Sequence, residues 1–152
     1  MWDVMFDTRN VQRVIVGGLQ LMRLDVKLSN SARILAVSLF AYIVLDVLLT
    51  PPAHLETRPV AQVTAVGFVT LGLLFAGLAL AVVALVMLFR RSPRAATVAI
   101  VGAVLILPAV AAEQTGHFSS VRPPTAIEVI ELVQVVVAFV VIGSALRTVR
   151  QA

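Results

Sequence analysis

Val60–Phe89 reads VAQVTAVGFVTLGLLFAGLALAVVALVMLF, thirty residues without one charged side chain, and it runs directly into Arg90-Arg91-Ser92-Pro93-Arg94. As an α-helix this run is about 45 Å long, whereas roughly 20 residues suffice to cross the hydrocarbon core of a bilayer. It is therefore expected to span a membrane with a strong tilt, or to project beyond it. Three further apolar runs, Ser31–Thr50, Ser92–Ala112 and Thr125–Leu146, are long enough or nearly so to do the same. The expected fold is an all-α membrane protein. Its parts are a cytoplasmic amphipathic segment over 1–30 and a four-helix antiparallel transmembrane bundle over 31–150, with spans 31–50, 60–89, 92–112 and 125–146.

Composition supports this class. Apolar residues make up 60% of the 152 and charged residues 13%, against roughly 45–50% and about 25% in soluble domains. With no cysteine, disulfides, thiolate metal sites and cysteine nucleophiles are excluded. The net charge of +4 does not point to nucleic acid, because the basic residues cluster at the ends of the apolar runs. Eleven arginines to one lysine, with abundant Ala and Val, suggest a GC-rich bacterial genome and hence the plasma membrane.

Four spans place both termini on one side. Ten of the twelve basic residues fall there, leaving only Arg58 and Arg122 opposite, so the positive-inside rule predicts N-in and C-in. Arg90-Arg91-Ser92-Pro93-Arg94 is then a tight cytoplasmic turn, with Pro93 opening the next helix. The acids run the other way: Asp46, Glu56, Glu113, Glu128 and Glu131 lie at or near the outer side, as do His54 and His117.

Residues 1–30 do not span. Over 9–28 they read either as an interfacial helix, with Arg9, Arg13, Arg23 and Lys27 toward anionic headgroups, or as a hairpin turning at Gly17-Gly18. The helix is preferred, since an isolated hairpin is marginal. Ser29-Asn30-Ser31 caps the first span.

Helices associate in lipid through small residues and polar side chains. Ala61, Ala65, Gly72, Ala76 and Ala79 share one arc of the second helix and are expected to face the bundle interior; the alternative is a homo-oligomer interface. Ala95, Ala99 and Ala103 do the same in the third helix, where Pro108 predicts a kink. Glu128, Glu131, Val135, Ala138, Ile142 and Ala145 follow a seam in the fourth, flanked by Gln134, and Ser31, Ser38 and Tyr42 share a side of the first.

Glu131 is the leading candidate for a binding role, because an ionisable side chain at membrane depth is costly; pairing with Arg122 or Gln134 would make it bundle glue. Asp46, one turn beyond Tyr42 and one turn from the outer end of its helix, can either snorkel to the interface or accept from the Tyr42 hydroxyl. Glu128 reads as the carboxylate of a capping box, Thr125-x-x-Glu128. Glu113 ends the third span, and Gly116 is expected to break the helix before His117, four residues on. His54 and His117 with the outer carboxylates have the ligand types for a divalent metal, but their spacing matches no metal signature. No nucleophile elbow or phosphate-binding glycine loop is present. The chain is accordingly read as an accessory or interaction subunit with no catalysis or cofactor of its own, partnered by the bilayer and by another membrane protein or itself. The rivals are an oligomeric permease or proton-linked carrier using Glu131, Asp46 and Gln134, and an outward-facing metal-binding membrane enzyme.

Overall fold

The computed structural model describes residues 29–50 and 58–150. The helix-or-hairpin alternative for 9–28, and His54 with Glu56, lie outside them. Four helices are long and apolar enough to cross a membrane, and together they make an all-α four-helix bundle. The protein is a small multi-pass membrane protein.

The first helix, α1 (Asn30–Leu48), starts where Ser29 caps it, its hydroxyl accepting from the Ala32 amide at 3.3 Å. Helix α2 (Ala65–Phe89) is capped in the same way by Thr64, which accepts from the Gly67 amide at 3.0 Å. The third span is two helices, α3 (Ala95–Leu105) and α4 (Leu107–Gln114), and the last is α5 (Thr125–Arg150). The break at Ile106 is the kink expected from Pro108, which has no N–H to donate back along the helix. Ala109 and Val110 instead both donate to the Ile106 carbonyl, at 3.0 and 3.1 Å.

The apolar run from Val60 is not one long helix. Val60–Gln62 form a 3-10 turn, and Val63 pairs as an isolated antiparallel bridge with Ser119 before α2 begins. The first residues of the run thus form a loop clasp, and α2 itself is about 38 Å long. At its other end the Arg90–Arg94 turn is tight, as expected. Arg91 takes a left-handed conformation at φ 56°, and Ser92 donates back to the Met87 carbonyl at 2.9 Å, a Schellman closure with arginine in the position glycine usually takes.

Contacts across the bundle fix its directions. Asp46 of α1 meets Gln134 of α5 while Ser38 meets Ser144, so these helices are antiparallel. Helix α1 packs chiefly on α5 and α2 on α3, and α3 also touches α5. The α2–α3 contact is close because Gly77 and Gly102 oppose each other: a Cβ on Gly77 would stand 2.9 Å from the Gly102 carbonyl oxygen. Ala95, Ala99 and Ala103 of α3 are buried as the spacing predicts, and so are Glu131, Gln134, Ala138 and Ala145 of α5.

Helix α2 departs from expectation. Its buried face is Gly67, Thr70, Leu74, Gly77, Ala81, Ala84 and Leu88, a regular alternation of three- and four-residue steps. Ala65, Gly72, Ala76 and Ala79 lie on the opposite, exposed face, and Ala61 is exposed in the 3-10 turn. The small-residue arc therefore does not line the interior. In lipid nothing penalises an exposed alanine, so both faces of this all-apolar helix can carry small residues. The inward one is chosen by where Gly77 must meet Gly102.

Candidate functional site

Polar side chains collect in two layers, one between the loops at the non-terminal end and one inside the bundle. In the first, the guanidinium of Arg58 forms a bidentate pair with the Glu113 carboxylate, at 2.6 and 3.1 Å. It also donates to the Val121 carbonyl at 3.2 Å and lies 5.3 Å over the Phe118 ring. Both side chains are nearly inaccessible, at 5% and 4% exposure. Backbone contacts hold the loops around them: Thr64 donates from its amide to the Phe118 carbonyl at 2.9 Å and from its hydroxyl to that of His117. Three elements that are distant in sequence thus converge on one ion pair. A planar five-donor fork suits such a site better than lysine would.

Glu113 is accordingly a buried structural partner rather than a free carboxylate at the interface. Arg58, which sequence reading counts only toward orientation, is the main polar residue it misses. The one available signal is that Arg58 is one of only two arginines on the acid-rich side. Glu131 is buried as expected, but its partner is neither Arg122 nor Gln134; the Gln114 amide donates to its Oε2 at 3.4 Å.

The second layer sits deeper. Ser31, Ser38, Tyr42 and Asp46 recur at helical spacing on the inward face of α1, and all are buried. Gln134 of α5 donates through Nε2 to Asp46 Oδ1 at 2.9 Å and to the Tyr42 carbonyl at 3.3 Å. The Tyr42 hydroxyl donates to the Gly102 carbonyl of α3 at 3.1 Å. Gly77 leaves room for this contact, since a Cβ there would stand 3.3 Å from the Tyr42 hydroxyl. Nearer the terminal end, the hydroxyls of Ser38 and Ser144 stand 3.5 Å apart.

Asp46, Gln134 and Tyr42 are all fully buried, yet Asp46 Oδ2 and Gln134 Oε1 have no hydrogen-bond partner. Both atoms are acceptors, so a donor is what the pair would take: a proton, a water or a small cation. Leaving such atoms bare in a membrane interior costs several kcal/mol each, roughly. This pair is the most chemically demanding point in the bundle.

The remaining candidates scatter. Glu128 is exposed on α5, whose first turn is closed by the Pro124 carbonyl, accepting from Ile127 at 2.9 Å and Glu128 at 3.2 Å. His117 is exposed and its Nδ1 lies 3.0 Å from the Thr115 hydroxyl; Gly116 breaks the helix before it, at φ 73°, as expected. Among the described residues no three His, Asp or Glu side chains come together as metal ligands would. No family model, curated protein or solved structure matches the chain.

Proposed function

We propose that this protein is an interaction subunit of a membrane assembly: a rigid four-helix module that binds another membrane helix, of a partner or of a second copy, through the outward face of α2. The single observation behind this reading is that Ala65, Gly72, Ala76 and Ala79 are exposed together on that face, with open space beyond Gly72. Small residues let a second helix backbone approach closely, which is what drives association where lipid removes the hydrophobic driving force. The interior supports the same reading. Gln134, Tyr42, Arg58 and Glu113 direct their hydrogen bonds at other helices and loops, which is how polar groups hold a bundle together. Orientation N-in and C-in in a bacterial plasma membrane, with the basic residues of 1–30 on anionic lipid, belongs to the same proposal, as does the absence of catalysis.

Because the chain has no cysteine, single cysteines at Gly72, Ala76 or Ala79 are clean reporters. Disulfide or bifunctional cross-linking in native membranes is expected to trap a discrete partner from these positions and none from Val82. Equal labelling all round α2, together with a lone monomer in mild detergent, would sink the reading.

A second reading, a proton-linked carrier, is favoured by the unpaired oxygens of Asp46 and Gln134, since ionisable groups at membrane depth mark ion pathways by default. It expects Asp46→Asn or Glu131→Gln to abolish flux in proteoliposomes while the protein still inserts and folds. Wild-type vesicles no leakier than empty ones would dispose of it.

A further inference from the structure

A cleft of about 910 Å³ opens between α4 and the first turns of α5. It exists because of the break at Ile106: α3 packs on α5, but beyond the break α4 leans onto α2 and barely meets α5. Its two ends differ in chemistry. At the loop end it is lined by Arg122, Glu128, Gln114 and Ser120, and along its length by Val110, Val129, Leu132 and Val135. From Glu128 to Val135 the cleft runs about 10 Å along α5, a third of a hydrocarbon core of roughly 30 Å. It reaches partway into one leaflet.

We propose that this cleft is a binding site for a phospholipid with a primary-amine headgroup, its phosphate on Arg122, its amine on Glu128 and one acyl chain along Val129, Leu132 and Val135. The charges complement such a headgroup. Arg122 and Glu128 are both exposed, line the same cleft, and make no ion pair with each other or with any other described residue. Of the other charges in that region, Arg58 and Glu113 pair with one another, and Glu131 is buried and accepts from Gln114 at 3.4 Å. One unpaired cation and one unpaired anion fit a zwitterion rather than a singly charged molecule. The occupant comes from the bilayer because the apolar wall is open sideways: Val129 is 56% and Leu132 68% exposed, at the depth of acyl chains. A guanidinium suits phosphate through its fork of donors, and a carboxylate suits a primary ammonium.

The test uses the full chain in mild detergent, incubated with phosphatidylethanolamine, phosphatidylglycerol or phosphatidylcholine of identical acyl chains, with retained lipid read by native mass spectrometry. Phosphatidylethanolamine is expected to be retained about five-fold over phosphatidylglycerol, the scale of one exposed ion pair. Glu128→Gln is expected to erase that preference, and Arg122→Gln to lower retention of all three. Both side chains are exposed, so unchanged melting of the variants separates lost binding from lost folding. Equal retention of the three lipids, a preference for phosphatidylglycerol, or a Glu128→Gln variant that keeps the preference would overturn the proposal.

Discussion

The side-chain amide of Gln134 donates to Asp46 at 2.9 Å, joining the first helix to the last across 88 positions of sequence. Measured polar pairs between membrane helices average about 0.6 kcal/mol and reach about 1–2. This one is fully buried and shared with the Tyr42 carbonyl. Asp46→Ala and Gln134→Ala are each expected to destabilise by about 1–3 kcal/mol, because each leaves the other's polar atoms bare. The double variant should lose less than the sum. Unfolding in mixed micelles for all four proteins gives the coupling; strict additivity would mean that the two side chains do not support each other.

Two glycines of the same helix should respond oppositely to one methyl group. Gly77→Ala brings a Cβ within 2.9 Å of the Gly102 carbonyl oxygen and 3.3 Å of the Tyr42 hydroxyl, whereas Gly72→Ala meets nothing within 4 Å. Pushing α2 and α3 apart is expected to cost about 1–3 kcal/mol. Gly72→Ala should stay within about 0.5 kcal/mol of wild type. Thermal melting in detergent checks both, and similar values would contradict the inward face assigned to α2.

Breaking the Arg58–Glu113 pair from one side strands a buried charge. Glu113→Gln or Arg58→Met alone is expected to cost about 3–5 kcal/mol, while changing both to apolar residues of similar size recovers part of that loss. Proteolytic nicking of the loops, followed with time, should accelerate in the single variants before the spans are lost. A single variant as resistant as wild type would show that the pair does not hold the loops.

Arg91 occupies a left-handed backbone conformation, at φ 56°, in the turn between α2 and α3. For a residue with a Cβ this conformation costs roughly 1–2 kcal/mol, and glycine adopts it freely. Arg91→Gly is therefore expected to stabilise the bundle by about 1 kcal/mol, seen as a higher melting temperature. Arg91→Val should lower it instead, because a β-branched side chain tolerates this region least.

The spans, the arginine turn, the break near Pro108 and the inward face of α1 are all legible in the sequence. Each rests on local chemistry: run length, a five-residue turn, an imino acid without N–H, and polar residues at helical spacing on an otherwise apolar helix. Glu131, Asp46 and Gln134 stand out for the same reason, as polar groups where polar groups are costly. Their partners are not legible. Gln134 could bond to any facing helix, and Glu131 finds Gln114 only because α4 ends beside it.

What the sequence by itself determines here is therefore where helices lie and which polar residues must be accommodated within them. The tertiary structure alone decides which way α2 faces, that Arg58 reaches Glu113 across 55 positions, and that α4 parts from α5 to leave a cleft. The physical reason is common to all three. In a bilayer an all-apolar helix carries no contrast between a wet and a dry face, so its orientation is set by close backbone approach, as at Gly77 and Gly102, and by long-range polar pairing. Neither leaves a periodic trace in the chain.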